Sequence, residues 1–107
     1  MRPKWLRGAP KNKTALEEQV VKETKKAAKK AGFEHRKVKY VNRNGACDDW
    51  FFGYDAVLII IEFKAPGKEP DPHQWAEIRR LRRRGFVVHV IDTVAAGRAL
   101  FEGLSQW

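Results

Sequence analysis

The residues of this sequence that could do chemistry are a few acids and one lysine in unusual places. Glu62 and Lys64 stand at the end of the most hydrophobic segment, 56–64. A carboxylate and an amine at the edge of a core are costly unless they pair, form hydrogen bonds or bind a metal. Asp48 and Asp49 directly precede another strongly apolar run. Carboxylates that converge are ligands for hard cations such as Mg²⁺, which can activate a water and neutralise charge on a phosphate.

The segment 56–64 is predicted to be a central strand. With a period of two, its side chains form two rows, Val57, Ile59, Ile61 and Phe63 on one side and Leu58, Ile60, Glu62 and Lys64 on the other. Both rows are mainly apolar, so both faces of the strand are expected to be covered. Glu62 and Lys64 then share a face at the edge of the core. Alternatively, the strand ends at Ile61 and both charges reach solvent.

A helix is predicted to begin at Thr14, where the sequence fits a capping box, and to end at Gly32. At roughly 100° per residue, the lysines, Glu18 and Glu23 fall outside its apolar arc, whereas Glu17 falls inside. Glu17 is thus the one charged residue predicted on the buried face. It either completes the helix cap or joins the other carboxylates.

The remaining pattern alternates strands and helices. Strands are predicted at 35–41, 49–52, 56–64 and 86–91, and helices at 14–32, 71–84 and 93–104. The first three strands are expected to form an antiparallel meander, and the connection through the second helix should place the fourth strand parallel to the third. This is an α/β fold with an αβββαβ mixed sheet flanked by helices. In that arrangement Asp48 or Asp49 lies next to Glu62.

Charge indicates the kind of partner. The 107 residues include 22 Lys and Arg against 13 Asp and Glu, a net charge of +9. Basic residues cluster in 1–13, 22–30 and 79–84. Such clusters typically meet a polyanion, most often nucleic acid, although well-solvated helix faces are the alternative. Residues 1–13 are expected to be a flexible basic arm, and 14–107 a single domain.

Several classes of protein are not supported. A single cysteine, Cys47, excludes an internal disulfide and a cysteine-based zinc site, and it is expected to be a small packed residue. There is no apolar run long enough to span a membrane and no secretory signal, so we expect a cytoplasmic protein without membrane contact. There is no glycine-rich phosphate loop, and Ser105 is the only serine, which disfavours kinase and serine-hydrolase chemistry. The three histidines show no ligand spacing.

On the second predicted helix, Trp75, Ile78 and Leu81 form a stripe that is expected to pack on the core. The arginines of this helix then point elsewhere. A phosphate-binding surface that gives affinity without sequence specificity is predicted here. Its residues are Lys68, Arg79, Arg80 and Arg83.

The acidic motif resembles the PD-(D/E)XK nuclease superfamily and, more narrowly, its VRR-NUC domain, the virus-type replication-repair nuclease. The matching parts are Glu17, Gly45-Ala46-Cys47-Asp48, Glu62-Phe63-Lys64-Ala65-Pro66-Gly67-Lys68 and Gln74. The resemblance covers about residues 14–95. One position departs from the family pattern, because Cys47 stands where a proline is usual and Asp49 follows. The register could therefore slip by one residue, and the spacing to Glu62 favours Asp48.

The resemblance implies a restriction-endonuclease-like core and a role for each matched residue. Asp48 and Glu62 would hold Mg²⁺ or Mn²⁺ together with the backbone carbonyl of Phe63, and Glu17 would bind through water. Lys64 would orient or deprotonate the attacking water. Gln74 would maintain the geometry of the site or bridge to the metal-bound water.

The resemblance also implies an activity. Family members cleave DNA phosphodiester bonds, and the stand-alone members from bacteria and phages look like homodimers that nick branched DNA, including four-way junctions. A bacterial or phage-infected cytoplasm is the corresponding location. Two alternatives stay open, a basic nucleic-acid-binding module without catalysis and an RNA-directed nuclease or RNA-binding protein.

Overall fold

The structure, a computed structural model, describes residues 14–104. In chain order the elements are α1 (Ala15–Lys30), β1 (Glu34–Lys37), β2 (Asp49–Phe52), β3 (Leu58–Phe63), α2 (Pro72–Arg83), β4 (Val87–Ile91) and α3 (Val94–Glu102). The predicted basic arm at 1–13 and the segment 105–107 lie outside the described residues. No helix within 14–104 is long and apolar enough to cross a membrane.

The four strands form one mixed sheet in the order β1-β2-β3-β4. β1 pairs with β2 and β2 with β3 in antiparallel fashion, and β3 pairs with β4 in parallel fashion. Helix α2 makes the crossover between the two parallel strands, as such a connection requires. The predicted fold class, the antiparallel meander and the parallel fourth strand are confirmed, and the structure places that strand beside β3.

Apolar side chains cover both faces of the sheet, and β3 supplies residues to each. Ile59, Ile61 and Phe63 pack with Phe51 and with residues of α1 and α3, and we call this side the α1 face. The other row packs against α2, and we call that side the α2 face. Its core contains Cys47, Ile60, Ile78 and Val88, with Trp50, Leu58, Trp75, Leu81 and Val90 around them. The predicted two-sided strand is confirmed, as is the core stripe of α2.

The first strand is shorter than the sequence predicts, because it ends at Lys37 instead of continuing to position 41. Beyond it, the Tyr40 hydroxyl donates a 2.6 Å hydrogen bond to Glu77 Oε2 on α2. Asn42 then takes a left-handed conformation with φ of 63°, and Val41 is 79% exposed. The alternating pattern of 38–41 therefore belongs to a loop that is tied to a helix far along the chain.

The position of Glu23 on α1 is also different from the prediction. The helical arc placed this residue on the solvent side, but its side chain is buried. Arg98 Nη2 on α3 donates a 2.5 Å hydrogen bond to Glu23 Oε1. Helix α3 covers a part of α1 that the sequence of α1 alone predicts to be exposed. The guanidinium of Arg98 neutralises Glu23, the acid that is buried there.

Helices α1 and α3 approach each other closely at Gly97. A Cβ atom at this position would lie 1.8 Å from Thr24 Oγ1 and 2.9 Å from Thr24 Cβ. Thr24 is fully buried, so its branched side chain has little room to move. The absence of a side chain at position 97 is what permits the two helices to cross at this distance.

We expect Gly97→Ala to lower the free energy of unfolding by about 1–3 kcal/mol, although alanine is the better helix former. Gly103→Ala is the matched control, because a Cβ there comes no closer than 3.6 Å to another residue. Urea unfolding of both variants measures the difference. Unchanged or increased stability of Gly97→Ala would contradict the close helix crossing.

Candidate active site

Asp48 and Glu62 come together at one end of the sheet. Asp49 pairs with Ile61 in the antiparallel register, so Asp48, one residue before β2, comes next to Glu62. Side chains two apart along a strand share a face, so Asp48 lies on the same face as Trp50, and Glu62 on the same face as Ile60. Both acids therefore belong to the α2 face. The negative charge of Asp48 acts on Glu62 and raises the pKa of its carboxyl. The predicted convergence of these two acids is therefore present.

Glu62 is a buried acid inside β3. Its side chain is 7% exposed, which rejects the alternative that the strand ends before it. Burial raises the pKa of the Glu62 carboxyl, Lys64 opposes this effect and Asp48 adds to it, and the result is a pKa of about 7. Within the described residues, Glu62 Oε1 is buried without a hydrogen-bond partner. A buried carboxylate oxygen without a partner is unusual and indicates a position prepared for a ligand.

Lys64 supplies the positive charge nearest to this acid. Its Nζ lies 3.5 Å from Glu62 Oε2, and the side chain is partly exposed. The Lys64 backbone N–H donates to Ile91 O at 3.0 Å, which extends the parallel pairing past the end of β3. The loop that follows is held by the Gly67 N–H, which donates to Asp92 Oδ2 at 3.0 Å. These two hydrogen bonds hold the backbone at Lys64 and in the loop after it, and this backbone positions the Lys64 amine beside the Glu62 carboxylate.

The structure separates the two neighbouring aspartates. Asp49 is buried on the α1 face, where His35 Nε2 lies 2.7 Å from its Oδ1 and Lys37 Nζ lies 3.2 Å from its Oδ2. Lys37 Nζ also donates to Asp48 Oδ2 at 3.1 Å. Asp49 therefore takes part in an internal ion-pair network, whereas Asp48 shares its face with Glu62. This geometry favours Asp48 as the partner of Glu62.

The loop that carries Asp48 is anchored to the rest of the domain. Trp50 Nε1 donates to Cys47 O at 2.6 Å. Gly45 has a φ of 86°, and a Cβ atom there would lie 2.6 Å from the backbone oxygen of His73 at the start of α2. Only glycine combines this backbone conformation with so close an approach. The glycine of the sequence motif thus sets the distance between the Asp48 loop and α2.

Cys47, at the position where the family pattern has proline, is fully buried. Burial and the neighbouring Glu62 charge raise the pKa of its thiol to about 12. A nucleophilic cysteine needs a lowered pKa, so this thiol is a packed residue, as predicted.

Gln74 has a clear structural role at the start of α2. Its side-chain oxygen accepts from the Asp71 N–H at 2.9 Å, and its own N–H donates to Asp71 Oδ1 at 2.9 Å, which forms a capping box. Any role toward Glu62 would fall to the remaining NH₂ group of the amide.

Glu17 lies in the first turn of α1, which covers the α1 face. The Glu17 N–H donates to Thr14 Oγ1 at 3.0 Å, so the helix begins where the sequence predicts. Among residues 14–104, no hydrogen bond or ion pair joins the Glu17 carboxylate to Asp48 or Glu62. Its part in the site stays a prediction.

The donor set fits a hard divalent cation. Within 14–104, no three acidic, cysteine or histidine side chains are grouped as metal ligands. Magnesium needs fewer, since it is often held by one or two carboxylates and keeps several waters. Asp48 and Glu62 provide such a pair. Glu62 Oε1 accepts no hydrogen bond among the described residues, and the weakly donating thiol of Cys47 is beside the carboxyl group. A cation here would also relieve the repulsion that raises the pKa of Glu62.

The predicted phosphate-binding residues lie on or near α2, but they differ in their surroundings. Lys68, Arg79 and Arg83 are exposed. Arg80 is partly covered and its Nε donates to Glu77 Oε1 at 3.0 Å.

Glu77 itself is a feature that the sequence analysis missed. Burial alone would raise the pKa of this acid, but hydrogen bonds from Tyr40 and Arg80 and the charge of Arg43 lower it. Glu77 lies beside the core stripe of α2, roughly 40° beyond Leu81 on the helical wheel, and that position is the only sequence signal for its burial. It ties the loop after β1 to α2 and so supports the Asp48 region.

The comparisons with known proteins agree with the fold. A solved structure described as a VRR-NUC domain is similar to this chain, with 32% sequence identity and a TM-score of 0.77. The match covers 83% of this chain and 97% of that structure. A scan of family models found no match, and neither did a search of curated proteins.

The pKa of Glu62 gives a prediction about stability. A carboxyl whose pKa rises from 4.5 to about 7 on folding stabilises the fold while it is protonated, and this contribution is lost as the pH rises from about 4.5 to about 7. We therefore expect Glu62→Gln to stabilise the metal-free protein above neutral pH by on the order of 2 kcal/mol.

Urea unfolding in the presence of a chelator, between about pH 4 and pH 8, measures this effect. Glu69→Gln is the matched control, because Glu69 is exposed. The difference between Glu62→Gln and wild type should grow with pH, whereas Glu69→Gln should follow wild type. Parallel curves for all three proteins would show that Glu62 is not a strained acid.

The contact at Gly45 gives a second prediction. Gly45→Ala combines a left-handed backbone with a clash against His73 O, whereas Gly85→Ala has a similar φ of 91° and open space around it. We expect Gly45→Ala to lower the free energy of unfolding by roughly 1–3 kcal/mol more than Gly85→Ala. If both variants lose the same stability in thermal unfolding, the Gly45 loop can move away from His73 without a free-energy cost.

Proposed function

Since this chain belongs to the VRR-NUC domain family and is a nuclease-type domain, we propose that it is a metal-dependent, structure-specific DNA endonuclease. It hydrolyses phosphodiester bonds and nicks branched DNA such as four-way junctions. The observation that supports this proposal best is the buried Glu62 carboxylate, with one unpartnered oxygen, between Asp48 and Lys64.

In this proposal Asp48, Glu62 and the backbone carbonyl of Phe63 hold Mg²⁺ or Mn²⁺, and Glu17 contributes through water. Such a cation supplies an activated water and neutralises charge that develops on a phosphate. The raised pKa of Glu62 suits this role, because a cation stabilises the ionised carboxylate that the protein alone disfavours.

Lys64 acts on the reacting groups. Its Nζ, held 3.5 Å from Glu62 and partly exposed, is the donor that can reach both a water beside Glu62 and a phosphate oxygen from solvent. It orients the attacking water and stabilises the negative charge of the phosphate. Gln74 keeps the start of α2 in register with the Gly45 loop and so maintains the distance to Asp48.

The proposal includes a homodimer. Symmetric nicks in two strands of a junction require two active sites, and one domain of 107 residues carries only one Glu62–Lys64 motif. A two-fold dimer supplies the second site in a matching orientation. Sedimentation equilibrium should give a mass twice that of the chain. A strictly monomeric protein at micromolar concentration would exclude paired nicking by one particle.

Cleavage of a labelled four-way junction with Mg²⁺, Mn²⁺ or a chelator tests the activity. We expect Glu62→Gln and Lys64→Met to lower the rate by about 100-fold or more while DNA binding is retained. Glu69→Gln, an exposed acid, is the control and should cleave like wild type.

Three outcomes separate the alternatives. Metal-dependent cleavage that requires Glu62 and Lys64 supports the proposal. Binding of the junction without cleavage by wild type under any metal would indicate a non-catalytic nucleic-acid-binding module. A faster reaction on RNA of the same branched structure would indicate an RNA-directed nuclease.

A further inference from the structure

Two basic grooves lie on the side of the domain formed by α1, β1 and the loop after β1. The first has a volume of about 460 Å³ and runs between α1 and β1, with Lys22, Lys25, Lys29 and Arg36 in its walls. The second, of about 540 Å³, follows directly along the chain. Its walls include Lys37, Lys39, Arg43 and Asp48.

The two grooves adjoin at neighbouring residues of β1. Arg36 lines the first groove and Lys37 lines the second. The second groove ends at Asp48, next to the buried carboxylate of Glu62. A polyanion that follows this surface from α1 would therefore arrive at the candidate active site.

The lysines of α1 have their charge available. Lys22, Lys25 and Lys29 are exposed, and no ion pair within 14–104 involves any of them. Lys26 lies 3.7 Å from Glu23, but that acid is already hydrogen-bonded to Arg98. Lys22, Lys25 and Lys29 therefore present positive charge outside any ion pair of the described residues, whereas Arg36 in the same groove is paired with Glu34 at 3.1 Å.

The arginines of α2 are used differently. Arg80 is hydrogen-bonded to Glu77, and Arg82 donates to Val88 O at 2.8 and 3.1 Å. Arg84 donates to Arg80 O at 3.2 Å. Three of the five arginines in the cluster 79–84 thus make hydrogen bonds inside the domain, Arg80 and Arg84 within α2 or at its end and Arg82 to β4. The charge count of the sequence overstates what α2 offers to a ligand.

The spacing on α1 suits a nucleic-acid backbone. Lys22, Lys25 and Lys29 recur at intervals of three and four residues, so they form one row on the helix. This row is roughly 10 Å long at 1.5 Å per residue. One strand of duplex DNA places about three phosphates over that distance.

We propose that these two adjoining grooves, which we call the α1–β1 track, together bind the sugar-phosphate backbone of a DNA duplex and lead that strand to Asp48. The inference rests on the proposed nuclease function and assigns DNA binding to a surface other than the predicted one on α2. Binding through lysines to phosphates is independent of sequence and depends steeply on salt.

The experiment compares two triple variants with equal loss of charge. Lys22→Gln, Lys25→Gln and Lys29→Gln together remove the α1 part of the track, and Lys68→Gln, Arg79→Gln and Arg83→Gln together remove the three exposed cations on or near α2 that make no hydrogen bond described above. Binding of a labelled DNA duplex is measured by fluorescence anisotropy in a chelator, from about 50 to 300 mM KCl. Circular dichroism and thermal unfolding confirm that each variant is folded.

We expect the α1 variant to bind at least 10-fold more weakly at about 100 mM KCl and to lower the slope of log affinity against log salt by about 2 to 3. The α2 variant should change the slope by less than about 1. Wild-type affinity in the α1 variant, or a larger loss in the α2 variant, would overturn the proposal. A wild-type protein that does not bind duplex DNA at low salt would overturn it as well.

Because binding is measured without metal, the result is independent of cleavage. A wild-type protein that binds through the α1–β1 track but never cleaves would exclude the nuclease function and keep the track. A protein that cleaves normally after loss of the three α1 lysines, with unchanged affinity, would exclude the track and keep the nuclease function.

Discussion

Glu62 projects its carboxylate into the layer between β3 and α2, where water is largely excluded. Burial there raises the pKa of the acid, and the nearby Asp48 raises it further. The ionised form of Glu62 therefore lowers the stability of the folded domain. The domain stays folded despite the free-energy cost of burying Glu62, because apolar side chains cover both faces of β3 and hold the strand in place. Because burial destabilises the ionised Glu62 carboxylate, a cation bound there would stabilise it strongly.

Contacts outside the sheet also fix the position of the Asp48 loop. Three contacts of different chemistry connect the segment 38–48 to its surroundings, namely the Tyr40 bond to Glu77, the Trp50 bond to Cys47 O and the close approach of Gly45 to His73. Two of these connect the loop to α2. Since α2 also carries Gln74, movement of this helix would change the distance between Asp48 and the residues at the end of β3.

Positive charge serves two purposes in the domain. On α2, arginines are hydrogen-bonded to a buried acid and to backbone oxygens, where the planar guanidinium can satisfy several acceptors at once. On α1, the exposed Lys22, Lys25 and Lys29 have no such partners within the described residues and contribute mainly to the external field. A net charge of +9 therefore does not by itself locate a binding surface.

The sequence by itself determined the elements and their order. The two-sided alternation of 56–64 and the Asp71 cap of α2 are local patterns, and the fold and the approach of one of the two aspartates, Asp48 or Asp49, to Glu62 followed from such patterns. The family resemblance came from the same residues. These features were predictable because strand period, helix capping and antiparallel register depend on neighbours in the chain.

Only the tertiary structure decided where the remaining charges lie. Glu23 is buried with Arg98 of α3 as its partner, and the segment after β1 leaves the sheet and is bonded through Tyr40 to Glu77. In both cases the partner is tens of residues away, so no periodicity within one element can reveal it. The separation of Asp48 from Asp49 was likewise decided by the packing of the two faces, since adjacent strand residues point to opposite sides and only the assembled sheet shows which side meets Glu62.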